Sequence, residues 1–143
     1  MNLDTATYRA LMAVAYLASN EPVSAKAIAK ECGLPLTPLL KHLQQLVRAG
    51  VLSSERGPKG GFQIAMPVDE LTVLDVVQAI RGPSMFTHLP LMPLGLTWLE
   101  TANLDTFNSR INALWSDMLA TCRDTLGAVR IVDALLDQKR ESK

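Results

Sequence analysis

The sequence predicts a mainly α-helical fold interrupted by one small two-stranded β hairpin. Three observations carry that expectation. Apolar residues recur at three-four helical spacing through most of the chain, and alternation survives only in two short runs. Between those runs lies SSERGPKGGFQIA, residues 53–65, where Gly57, Gly60, Gly61 and Pro58 force a sharp turn that no helix can pass through.

Asp4 is placed to cap a first helix, with Tyr8, Leu11, Met12 and Ala15 on its apolar face and Leu3 and Tyr8 at hydrophobic-staple positions. That helix runs to about Ser19. Ser24 caps a short second helix, Val23 and Ile28 fit its staple, and Gly33 after Cys32 supplies a left-handed stop. Thr37 is the expected cap of a third helix, with Pro38 at its first position, where a missing N–H costs nothing, and Gly50 at its end. On this helix Leu39, Leu40, Leu43, Leu46 and Val47 share one side, and Thr37, Lys41, Gln44, Gln45 and Arg48 the other. Strands are expected over residues 51–55 and 62–65, on either side of the glycine turn.

Thr72 and Asp75 fit a capping box, with Leu71 and Val76 as staple, for a fourth helix that stops at Gly82-Pro83. Pro90, Pro93 and Gly95 then break up residues 84–103, an irregular connector with one helical turn near Leu96 to Thr101. Leu104, Phe107, Ile111, Leu114 and Met118 form a narrow apolar seam on a long final helix. The seam fits either the chain's own core or a twofold mate. The expected divisions are therefore 1–83, a folded domain; 84–103, a connector; and 104–143, a dimerisation helix with a C-terminal tail.

Composition limits what such a fold can do. With 143 residues, 48% of them hydrophobic and 20% charged, the chain suits one domain with an appended element, and it has no apolar run fit for a membrane span or signal segment. A cytoplasmic protein with no membrane partner is expected. Cys32 and Cys122 are too few and too distant for a disulfide framework or a thiolate metal site. Net charge is zero, yet residues 1–65 hold seven basic and four acidic side chains, and residues 66–143 hold seven and ten. The basic half contains the glycine turn.

Two short helices joined by Gly33-Leu34-Pro35-Leu36 make a helix-turn-helix candidate with residues 37–49 as recognition helix. A basic-tipped hairpin directly after it makes a winged helix, whose helix enters the DNA major groove and whose wing reaches phosphates or the minor groove. The candidate DNA-binding residues are Ser24, Thr37, Pro38, Lys41, Gln45 and Arg48, with Arg56, Gly57, Pro58, Lys59 and Gly60 in the wing. A homodimer built on the Leu104 to Met118 seam would present two recognition helices to a palindromic site.

Other chemistry is poorly represented. The glycines follow one strand and precede another, so they lack the helix N-terminus of a phosphate loop, and no paired carboxylates or nucleophile signature suggest an enzyme. His42 is expected to lie near DNA or in solvent, not to serve as a general base. Met85, His88 and Met92 resemble soft copper ligands in type, but thioethers in an apolar loop more often fill gaps. Cys122 is the candidate redox residue, although its place on an apolar stripe favours a structural thiol; the same applies to Cys32.

The stretch LVRAGVLSSERGPKGGFQIAMPVDELTVLDVVQAIRGP, residues 46–83, resembles the BadM/IscR-type winged-helix transcription regulators of bacteria. Tyr8, the Leu17-Ala18 pair, Trp115 and Thr125-Leu126 extend the likeness over most of the chain. The resemblance implies homodimeric, sequence-specific binding to double-stranded DNA, usually as a repressor. It also implies, for many members, an iron–sulfur cluster held by three cysteines before the long helix. Residues 84–115 contain no cysteine, so the chain is similar to members that have no cluster, need no cofactor and respond to a small molecule, a partner protein or a thiol modification. The rival expectation is a winged helix that docks a partner enzyme without reading DNA.

Overall fold

The computed structural model describes residues 4–20, 22–82 and 101–137, with backbone alone for 101–104, 136 and 137. The chain order is α1 (Thr5–Ala18), α2 (Ala25–Cys32), α3 (Leu36–Arg48), β1 (Leu52–Glu55), β2 (Gly61–Ile64), α4 (Val73–Arg81), α5 (Thr101–Ala128) and α6 (Ile131–Asp137). The mainly α fold with a two-stranded wing is thus present.

Local chemistry explains most of the element ends. The Thr7 backbone N–H donates to the Asp4 carboxylate at 2.8 Å, which satisfies one of the unpaired donors of the first turn of α1. That same bond, first among its causes, holds the Asp4 carboxyl below the usual carboxylate range, and the Arg81 guanidinium adds to the effect. The Ser24 hydroxyl accepts from Ala27 N–H at 3.2 Å to start α2, and Gly33, φ 63°, ends it. Thr72 and Asp75 make the full capping box of α4: Thr72 N–H donates to the carboxylate at 2.9 Å, and Asp75 N–H donates back to the hydroxyl at 3.3 Å.

The start of α3 corrects an expectation. Its N-cap is Pro35, with no side-chain capping bond, so Thr37 and Pro38 are already the second and third helical residues. Pro38 is tolerated there because the first four N–H groups have no partner within a helix. Leu39 N–H, bonded to the Pro35 carbonyl at 3.2 Å, is the first that needs one.

The hairpin pairs Leu52 with Ile64, Ser53 with Gln63, Ser54 with Phe62 and Glu55 with Gly61. Both strands begin one residue away from expectation, because Val51 N–H is still held by the Leu46 carbonyl of α3 at 3.0 Å while Gly61 pairs with Glu55. The outer edge of β2 is also occupied. Val23 and Phe62 exchange both backbone hydrogen bonds, at 3.0 and 2.8 Å, so the wing is fastened to the residue before the cap of α2. A Cβ at Gly61 would lie 2.5 Å from the Val23 carbonyl, and its φ of 144° is one that side chains rarely permit.

The core joins Ala10, Ala13, Val14 and Leu17 of α1 to Ile28 of α2, Leu39, Leu43 and Leu46 of α3, Val51 and Leu52 of the wing, Leu71 and Val76. It also includes Ile131, only 3% exposed. The segment expected as a tail of the long helix therefore turns back at Ala128. Val73 N–H donates to the Val129 carbonyl and Ile131 N–H to the Leu71 carbonyl, each at 2.9 Å, and α6 packs on α1. Helix α4 is consequently held at both ends, by this bridge at its start and by the Arg81 to Asp4 ion pair at its finish. Of the expected connector, residues 101–103 already belong to α5 and the remainder lies outside the described residues.

Candidate nucleic-acid interface

Packing fixes which face of α3 is free. Leu39, Leu43 and Leu46 have no exposed surface, and His42, expected in or near solvent, is buried beside them at 7% exposure. Thr37, Leu40, Lys41, Gln44 and Arg48 are exposed, at intervals that put them along one outward stripe. Two side assignments are thereby corrected: His42 replaces Leu40 in the core, and Leu40, expected inside, stands outside. Pro38 and Gln45 are half-buried, and the Gln45 side-chain oxygen lies 3.3 Å from His42 Nδ1, at the border between the two faces. Ser24 is exposed, but its hydroxyl already accepts the Ala27 N–H.

In the wing, Arg56, Gly57, Pro58 and Lys59 are all exposed, and Gly60 is half-buried where its N–H closes the turn onto the Gly57 carbonyl at 3.0 Å. A side chain at Gly60 would collide with the Glu55 carbonyl, so the tip is a tight backbone loop from which Arg56 and Lys59 project. The loop is thin, cationic and fastened at its base. It joins α3 directly through Ala49-Gly50-Val51, so the helix and wing are set by the same core.

The long helix presents two apolar stripes one residue apart. Asn108, Asn112, Trp115, Leu119, Cys122 and Leu126 form a covered or partly covered stripe, with Ser116 and Gly127 beside it; Leu119 is 8% exposed, and near the helix end Gly127 approaches Leu74 of α4. Phe107, Ile111, Leu114 and Met118 lie on the neighbouring stripe and are 52%, 39%, 66% and 38% exposed. The seam read from the sequence is thus the uncovered one; Leu104 belongs to the backbone-only residues. The covered stripe was hidden in the sequence by its two asparagines.

Cys122 is half-buried on that covered stripe. Cys32 is also half-buried, and burial, with the nearby Glu31 carboxylate, pushes its thiol above the ordinary range, which disfavours the reactive thiolate. Among the described residues no group of three or more histidine, cysteine or acidic side chains could hold a metal ion. Met85, His88 and Met92 lie outside them. Among those residues, too, no helix is long and apolar enough to cross a membrane.

Comparison with known proteins gives the family and the fold. The Rrf2 family profile, described as an iron-dependent transcriptional regulator, matches residues 3–137. A relative from Aquifex aeolicus, named as an inferred HTH-type transcriptional regulator, is 37% identical over 92 residues, 63% of each chain. BadM of Rhodopseudomonas palustris, named in the same way, is 40% identical over 138 residues, 94% of this chain and 81% of that relative. Among solved structures, T. potens IscR superposes with a TM-score of 0.72 at 21% identity, covering 100% of this chain and 92% of that one, a likeness of fold. The iron in the family description has no matching donor set among the described residues. One cysteine sits on α2 and the other on α5, and neither belongs to a group of three or more histidine, cysteine or acidic side chains among the described residues. These side chains do not fit an iron site.

Proposed function

We propose that this chain, which belongs to the Rrf2 family of transcriptional regulators, acts as a homodimeric repressor on a palindromic DNA operator. Helix-turn-helix regulation of transcription is the family's work, and the chain is not an enzyme. The observation that carries the finer reading is the free stripe of α3, Thr37, Lys41, Gln44 and Arg48, beside a fastened loop tipped by Arg56 and Lys59. The N-terminal turns of α3 approach base edges in the major groove, with Gln45 at the border of that face; Arg48 holds a phosphate, and the wing enters the adjoining minor groove. The zero net charge is compatible with this, since the cations that matter are gathered in the N-terminal half.

Pairing of α5 with its twofold mate covers Phe107, Ile111, Leu114 and Met118 and sets the distance between the two recognition helices. The regulating signal is a small molecule, a partner protein or a thiol modification, in keeping with the lack of cysteines over residues 84–115. It acts by changing that distance. Helix α4, held at both ends, would carry the change from α5 to α3.

Two wing variants test the DNA contact. Arg56→Ala is expected to weaken operator binding by about 1–3 kcal/mol per subunit and to relax base preference beneath the wing. Lys59→Ala is expected to lower affinity evenly across sequences and to reduce the slope of log K against log salt by about one per wing. Titrations at several salt concentrations measure both. Equal binding by wild type and Arg56→Ala would remove the wing from the mechanism.

A further inference from the structure

An exposed leucine is ordinary on a protein surface. Leu40 differs in where it stands. It is 37% exposed while Leu39, Leu43 and Leu46 fill the core without it, and its neighbours on the outward stripe, Thr37, Lys41 and Gln44, are all polar. It is the fifth residue of α3, in the N-terminal part that a recognition helix directs at base edges. A leucine at the edge of a groove-facing stripe of polar donors is dehydrated when the helix docks. It then needs an apolar surface to meet.

The major groove supplies one such surface. Its edges carry N7, O6, O4 and the exocyclic amines, all polar, together with the thymine C5-methyl group. We propose that Leu40 is a specificity-determining residue that packs on a thymine methyl in each operator half-site. The inference rests on the DNA-binding reading given above. It works in both directions: a methyl against the leucine is removed from water, whereas a G·C pair there would lose hydration at its polar edge and receive no hydrogen bond in return. Lys41 and Gln44, both nearer the centre of the outward face, supply the donors that hold the neighbouring bases.

Uracil is thymine without the methyl, so it isolates the contact. The probe is the duplex that wild type enriches from random DNA, with each thymine replaced in turn by deoxyuracil. Replacement of the contacted thymine in a single half-site is expected to weaken wild-type binding about fourfold, the effect of one buried methyl group. Leu40→Ala, whose side chain is outside the core, is expected to fold normally and to bind the thymine and uracil duplexes equally. Indifference of wild type to uracil at every thymine, or an undiminished uracil penalty in Leu40→Ala, would overturn the assignment while leaving DNA binding intact. Failure of wild type to enrich any duplex would instead overturn the DNA-binding reading, and this inference with it.

Discussion

Placing glutamates on the uncovered stripe of α5, as the double variant Leu114→Glu with Met118→Glu, is expected to turn the dimer into a monomer and to lower operator affinity by a factor of about 10² or more. The size of the effect follows from linkage. Two half-sites held by one dimer are occupied together, because once the first is bound the second sees its partner at millimolar effective concentration. A monomer loses that advantage entirely. The fold itself should be untouched: Leu114 is 66% exposed and Met118 38%, so neither change buries a charge within the protomer. In a dimer the same positions would face their symmetry mates, where four carboxylates would have to leave water together. Light scattering gives the mass and operator titration the affinity, with circular dichroism to check helicity. A variant that remains dimeric with full affinity would show that the seam is not the interface.

The second large effect is expected at Gly61, where alanine should destabilise the protein by roughly 2–4 kcal/mol and lower Tm by about 10 °C. Two causes act together. The backbone stands at φ 144°, and the added Cβ would lie 2.5 Å from the carbonyl carbon and oxygen of Val23. Neither atom is the end of a flexible side chain, so the strain is relieved only by separating β2 from residue 23. That separation breaks the hydrogen bonds between Val23 and Phe62 and frees the wing from the start of α2. A thermal melt gives the stability, and amide exchange at Val23 and Phe62 reports the fastening. An unchanged melt with full protection at both amides would mean that the wing does not depend on this approach.

Much of this architecture is legible in the sequence because it is set locally. The caps at Asp4, Ser24 and Thr72 and the stop at Gly33 are short-range hydrogen-bonding or backbone devices, visible as residue types at fixed offsets. The exchanged positions of Leu40 and His42 have another origin. At about 100° per residue the centre of the Leu39, Leu43 and Leu46 stripe lies about 70° from His42 and about 90° from Leu40, so both flank it, and residue type points to the wrong one. Tertiary packing buried the histidine beside the Gln45 side chain and left the leucine out.

Long-range contacts were less legible still. The pairing of Val23 with Phe62 and the return of residues 129–131 to Leu71 and Val73 are each made by backbone groups far apart in the chain, which side-chain patterning does not record. In α5 the exposed seam was the more apolar of two adjacent stripes, so periodicity alone found the uncovered surface more readily than the one α4 needs. The wing was the opposite case. Its glycines and proline are dictated by the turn they make, and the structure keeps Arg56, Gly57, Pro58 and Lys59 exposed at its tip.

The most direct test of the central claim is selection from random DNA duplexes by the full chain at low salt, followed by sequencing of what is retained. Enrichment of a palindrome is expected, with half-sites separated by about one helical turn, or a multiple of it, as two recognition helices of a twofold dimer require. A folded, dimeric protein that enriches no palindrome would contradict it, and would favour a winged helix that docks another protein in place of DNA.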